Sequence, residues 1–261
     1  MKRPLLFLHG VTRRGASVLP IEGALATRFD VHAPDFPGHG AAERRPGRYL
    51  VVDQVAVARE RLLELPGKAV IYGHSMGAMV AAALAAECPE RAEAVILEDP
   101  PFETMGSRIR DTPLHGYFAA LREFAVAHRG APVHEIARAL ADLRWGSPGE
   151  FRFGDTRDEA ACRFSAASLA RLDPEVLDPV VEGHWLDGYD QAAIFTRIAC
   201  PVLLLQADPR CGGMLTDEDV AHAKRAMRDC AHVFVPGGPH LLHWMATQDT
   251  LRAVLNFLSA I

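Results

Sequence analysis

Ser75 stands in Gly73-His74-Ser75-Met76-Gly77, after the apolar run Ala69-Val-Ile-Tyr72 and before an Ala-rich stretch that runs to residue 87. A Gly-x-Ser-x-Gly pentapeptide is common by chance. Between a β-branched strand and a small-residue helix it predicts a sharp strand-to-helix turn that exposes the serine Oγ. A serine hydroxyl is a weak nucleophile at neutral pH and needs a base within hydrogen-bond reach, with a third group to orient that base. Histidine suits the task because its ordinary pKa lies close to neutrality. Of the twelve histidines, His240 is the best placed, in Val233-Phe-Val-Pro-Gly-Gly-Pro-His240, just past the last apolar run; His243 is its near rival. Attack on a carbonyl creates a tetrahedral oxyanion, which needs two preorganised donors. The backbone N–H of Met76, at the start of the helix, is one candidate. The N–H of Val11, in the turn His9-Gly10-Val11, is the other.

These residues need a frame that gathers them on one edge. Continuous apolar runs occur at 4–10, 28–35, 69–75, 92–99, 201–208 and 232–238. Such runs predict strands buried on both faces. Helical patterns at 17–27, 51–65, 76–87, 216–228 and 247–259 alternate with them. Strand–helix alternation predicts an α/β fold with a mostly parallel, doubly wound sheet of about six strands. Residues 101–198 break the rhythm. They hold helical patterns at 114–128, 133–143, 157–172 and 175–182 and no convincing strand. The expectation is a core formed by 1–100 and 199–261, with 101–198 as an inserted helical cap. A cap there lies over the carboxyl edge of the sheet, where open α/β sheets bind ligands.

With 261 residues, 49% of them apolar and 23% charged, the chain has the composition of a globular protein with a large core. A net charge of −5 implies no basic face for nucleic acid. The apolar run at 5–8 is too short for a membrane span or a signal segment. The five cysteines form no Cys-x-x-Cys pair, and their odd number argues against a complete disulfide framework. Free thiols in a cytoplasmic, reducing compartment are the expected state. No metal and no cofactor are expected, and the oligomeric state is left open.

In order along the chain, His9-Gly10, Asp35-Phe-Pro-Gly-His-Gly40, Gly73-His-Ser-Met-Gly77 and Gly238-Pro-His240 resemble the motifs of the α/β-hydrolase superfamily. The resemblance covers the core and leaves the cap unplaced. It implies Ser75 as nucleophile, His240 as base and the Val11 and Met76 N–H groups as oxyanion hole. It also implies that the chain starts at the family's third strand, without the usual N-terminal hairpin. The acid departs from the family pattern. Its usual loop reads Gln206-Ala-Asp-Pro-Arg-Cys211 here, which puts Arg210 at the acid's position and Asp208 two residues early. The family's alternative location is the end of the strand after the elbow helix, where Glu98-Asp99 stand. Asp99 is therefore the expected acid, with Asp208 second and Glu98 third.

The resemblance and the residues together imply a serine hydrolase of carboxylic esters or lactones, acting through an acyl-enzyme on a small molecule with an apolar part. Carbon–carbon bond hydrolysis and cofactor-free perhydrolysis are alternatives on the same triad. A slow-turnover ligand receptor of the same fold is a third reading. Trp185, Tyr189, Tyr117, Trp145 and Met214 are the candidates for an apolar substrate pocket.

Overall fold

The computed structural model describes residues 2–106, 108–146 and 150–261. Its centre is a six-stranded sheet of β1 (Arg3–Leu8), β2 (Phe29–His32), β3 (Ala69–His74), β4 (Ala92–Glu98), β7 (Val202–Ala207) and β8 (Cys230–Val235). The strand order is β2-β1-β3-β4-β7-β8, and every neighbouring pair is parallel. The expected mostly parallel α/β sheet is the one observed.

Alternation within the strands explains why both faces are covered. Leu6, Leu8, Ile71, Val95, Leu97, Val202 and Leu204 join one apolar cluster, which includes residues of α2 (Val51–Glu64), α3 (Met76–Glu87) and α9 (Asp217–Ala226). Leu5, Phe7, Val70, Tyr72, Ile96, Leu203 and Leu205 join the other, with α1 (Leu19–Ala26) and α11 (Thr247–Leu258). A strand buried on both sides has no polar face, which is why these read as unbroken apolar runs. The edge strands β2 and β8 are the exceptions. Only Phe29 of β2 and Val235 of β8 are buried, and Phe234 is 40% exposed.

α3 is buried from Met76 to Ala86, so it has no polar stripe. Its alanines let it lie close against the sheet. Gly77 marks the tightest approach, since a Cβ there would stand 1.9 Å from the Leu8 carbonyl oxygen.

Between β4 and β7 run α4 (Pro113–Ala127), α5 (Val133–Ala141), α6 (Glu159–Leu169), α7 (Asp178–Glu182) and α8 (Gln191–Arg197). The absence of a strand in this segment was an incorrect expectation. β5 (Arg144–Trp145) and β6 (Phe151–Arg152) pair as an antiparallel ribbon. Two residues per strand are too few to show a period in sequence. α8 had no predicted counterpart, and neither did α10 (Leu242–Met245), which follows His240. The Tyr189 hydroxyl donates to the Met79 carbonyl in α3 at 2.9 Å, and Arg13 Nη1 donates to Ser165 Oγ at 2.9 Å. These two bonds tie the segment to the elbow helix and to the loop after β1. Among the described residues, no helix is long and apolar enough to cross a membrane.

Candidate active site

From β1 the chain moves to β2 on one side, then to β3 on the other. The carboxyl ends of β1 and β3 therefore flank the point where the strand order reverses, which is where open α/β sheets hold ligands. Ser75 follows β3 and His9-Gly10-Val11 follow β1. The non-glycine residues with positive φ among those described are Thr12, Ser75, Asp99 and Phe102. All follow β1, β3 or β4 at this edge. Such backbone is sparsely populated for residues with a Cβ and persists only when the surroundings impose it.

Ser75 has φ 55° and ψ −121°, and its N–H donates to the Glu98 carbonyl at 2.9 Å. α3 begins at the next residue, so the Met76 N–H belongs to the first turn, whose donors lack an intrahelical acceptor. A Cβ on Gly10 would lie 3.0 Å from Ser75 Cβ, so the loop bearing Val11 touches the elbow. That loop is pinned by His9. Its Nε2 accepts from the Phe36 N–H at 3.0 Å, which leaves Nδ1–H to donate to the Gly10 carbonyl at 2.9 Å. Burial, then the nearby His39, pulls the His9 pKa down to about 3, so the ring is neutral and holds this tautomer.

Asp99 is fully buried. Its Oδ1 accepts from the N–H groups of Ala207 and Leu215 at 3.1 and 3.2 Å. Its Oδ2 accepts from the Met214 N–H at 2.8 Å and from His240 Nδ1 at 2.5 Å. The loop after β7, where the family usually carries its acid, thus supplies N–H donors to a carboxylate on β4. The His240 side chain is 22% exposed, so one end of the ring meets the carboxylate and part of it remains open.

Asp208 is occupied elsewhere. It accepts from Arg210 Nε and Nη2 at 3.0 and 2.7 Å and from the Gly237 N–H at 3.0 Å. The Arg210 guanidinium, then the Gly237 N–H, hold its carboxyl well below the usual carboxylate range. Its backbone N–H also donates to the Gly238 carbonyl at 2.7 Å. Asp208 therefore grips the turn that leads to His240. Glu98 is turned to the opposite face of the sheet. It accepts from the Tyr72 hydroxyl at 2.7 Å and from His243 Nδ1 at 2.8 Å, and all of this is fully buried. The two histidines thus divide, His240 with Asp99 and His243 with Glu98.

His74 lies between them, with its ring 4.8 Å from that of His240 and 5.1 Å from that of His243. Its Nε2–H donates to the His240 carbonyl at 3.1 Å. Burial, then the neighbouring His240 and His243, hold its pKa well below the ordinary histidine value. As the variable residue of the pentapeptide, His74 gave no sequence signal for this contact.

The pocket candidates are dispersed. Met214 is buried beside Asp99, and its carbonyl accepts from Thr104 Oγ1 at 2.8 Å. Tyr117 packs on Trp145 with ring centres 4.9 Å apart. Tyr189 is bonded to α3 as described. Trp185 is 1% exposed within the larger apolar cluster, in the manner of a core residue. Two surface concavities of about 490 and 550 Å³, beside β8 and α11 and beside α4, are lined by none of Ser75, Asp99 or His240. Among the described residues, no group of three or more His, Cys, Asp or Glu is placed to hold a metal ion.

The family model for the alpha/beta hydrolase family matches residues 5–253. A 2-(acetamidomethylene)succinate hydrolase of Mesorhizobium japonicum is 24% identical over 98% of this chain and 88% of its own length. A pimeloyl-[acyl-carrier protein] methyl ester esterase of Chromobacterium violaceum is 32% identical over 77% of this chain and 73% of its own. Among solved structures, the enol-lactonase of Burkholderia xenovorans superposes with a TM-score of 0.72 at 19% identity, covering 99% of this chain and 92% of that one. By the extent of the family match and the motifs it spans, the chain belongs to the alpha/beta hydrolase family.

Proposed function

We propose that the protein is a serine hydrolase of carboxylic esters or lactones, with Ser75 as nucleophile, His240 as base and Asp99 as the orienting acid. The observation that carries the reading is the Asp99–His240 contact at 2.5 Å, made at the same sheet edge as a serine held at positive φ. In this mechanism Asp99 fixes the imidazole with its proton on Nδ1, leaving Nε2 to take the Ser75 proton as Oγ attacks the carbonyl. The Val11 and Met76 N–H groups meet the oxyanion. Collapse of the intermediate passes the proton from His240 to the leaving oxygen and forms the acyl-enzyme. His240 then takes a proton from a water that attacks the acyl carbonyl, and returns it to Ser75 Oγ as the bond to Oγ breaks and the acid leaves. No step needs a cofactor.

The segment 101–198 is proposed as the cap that limits what reaches Ser75, supported by its bonds to Met79 and Arg13. The esterase among the relatives supports ester cleavage. The five cysteines are all free, which supports a reducing, cytoplasmic setting. The test combines turnover of a short-chain chromogenic ester with labelling by a fluorophosphonate. Wild type should be labelled at Ser75 and turn over the ester at about 1 per second or faster. Ser75→Ala should lose labelling and at least about a thousandfold in kcat. Full activity in Ser75→Ala would overturn the mechanism.

A further inference from the structure

Arg13 is 8% exposed, yet among the described residues it forms no ion pair, and its hydrogen bond goes to a neutral hydroxyl, Ser165 Oγ, at 2.9 Å. The lack of a partner does not follow from a shortage of acids, since the chain has 33 Asp and Glu against 28 Lys and Arg. Elsewhere Arg108, Arg122, Arg152 and Arg210 each reach a carboxylate. A guanidinium removed from water without a counter-charge is costly to the fold, so its retention calls for a partner that comes from outside.

A second cation is near enough to lower the Arg13 pKa. Arg157, at the entry to α6, is also without an ion pair among the described residues, and its Nε is buried with no hydrogen-bond partner. Its guanidinium lies over the Phe153 ring at 5.0 Å. Burial, then the charge of Arg157, pulls the Arg13 pKa down to about 10, which still leaves Arg13 charged at neutral pH. Two guanidinium groups without an ion pair among the described residues, one on the loop after β1 and one at the entry to α6, are what an anion site at this junction requires.

The position of Arg13 ties that site to the reaction centre. Its N–H donates to the Gly10 carbonyl at 3.1 Å, closing a turn around the residue that abuts Ser75. Its charge helps to lower the pKa of His74, whose ring is tilted against that of His240 at 4.8 Å. Arg13 thus stands three residues beyond the glycine that abuts Ser75, on the loop that also bears Val11.

We propose that Arg13, assisted by Arg157, binds a carboxylate carried by the substrate, so that the preferred substrates are half-esters or carboxylate-bearing lactones of dicarboxylic acids. The inference deepens the serine-hydrolase reading and rests on it. A planar guanidinium fork matches a carboxylate bidentately, which would fix the distance between the anionic end and the carbonyl that Ser75 attacks.

The test compares kcat/KM for monomethyl glutarate and dimethyl glutarate by titration of released acid. It also measures calorimetric binding of glutarate to Ser75→Ala, with and without Arg13→Gln. The half-ester should be preferred by about 100-fold, the scale of one buried charged hydrogen-bond pair. Arg13→Gln should bring the two esters to near parity, Arg13→Lys should recover part of the preference, and glutarate binding should be lost with Arg13→Gln. The proposal is overturned if wild type handles the diester as well as the half-ester. It is equally overturned if Arg13→Gln slows both by the same factor, or if glutarate fails to bind or binds as well without Arg13. Should Arg13→Gln not fold, Arg157→Gln reads the same ratio and the same binding. If neither ester turned over and no fluorophosphonate labelled Ser75, the hydrolase reading would fail, and glutarate binding would still decide the arginine site.

Discussion

His240 Nδ1 meets Asp99 Oδ2 at 2.5 Å although 141 residues separate them in sequence. The same carboxylate accepts backbone N–H groups from Ala207, Met214 and Leu215. These donors fix the carboxylate before the ring arrives, so His240 meets an acceptor of set direction.

Asp99→Asn should therefore lower kcat by about 10³–10⁴-fold, because an amide in place of the carboxylate favours the wrong imidazole tautomer. Asp208→Asn should cost far less, since Asp208 touches the turn before His240 and not its ring. Steady-state kinetics of the two variants checks this. A larger loss in Asp208→Asn would move the acid to the loop after β7.

Glu98→Gln should act mainly on stability. Glu98 accepts from Tyr72, from the His243 N–H and from His243 Nδ1 in a fully buried setting. An amide leaves a buried donor facing donors, at a cost of about 1–3 kcal/mol. For a chain of this size that lowers Tm by roughly 2–4 °C per kcal/mol. Thermal melting measures it, and a kcat loss as large as that of Asp99→Asn would assign the acid's role to Glu98 instead.

Gly77→Ala should prevent the elbow from closing. The added Cβ would stand 1.9 Å from the Leu8 oxygen, a backbone atom of β1 that no rotamer change can move. Strain of that kind exceeds the roughly 1–3 kcal/mol of ordinary overpacking. Denaturant unfolding, or failure to recover folded protein, checks the expectation, and a variant as stable as wild type contradicts the packing described.

Acid should destabilise the fold before its carboxylates are protonated. Burial holds His9 near 3, His39 near 4 and His74 well below the ordinary value, while the unfolded chain titrates these rings near 6.5. Between about pH 6.5 and 4 the unfolded state binds protons that the folded state does not, so stability falls as pH falls through that window. The slope is about 1.4 kcal/mol per pH unit for each such proton. Urea unfolding at pH 7.0, 5.5 and 4.5 reads it. His39→Gln should flatten the slope by about one proton, and a pH-independent stability over this range would show that these rings are not held neutral.

Much of this arrangement was legible in one dimension. The alternation of apolar runs with helical patterns specified the parallel sheet, because strands covered on both faces must be apolar throughout. The glycines at 73 and 77, the serine between them and the small residues of α3 specified a tight strand-to-helix turn, because a Cβ at either glycine would strike backbone. Local sterics and burial are written residue by residue, so the sequence by itself determined the fold and the place of Ser75. It also narrowed the acid to three carboxylates. Glu98 ends β4, while Asp99 and Asp208 follow β4 and β7, which lie side by side; the resemblance ranked Asp99 first, but local sequence does not set a side chain against His240. That was decided by the tertiary structure: adjacent residues at the end of β4 diverge, sending Glu98 to His243 and Asp99 to His240, while Arg210 neutralises Asp208. That Arg13 has no ion pair among the described residues was equally invisible in sequence. Whether an arginine has a counter-ion depends on which side chains the fold brings within a few ångströms of it, and that is a property of three dimensions alone.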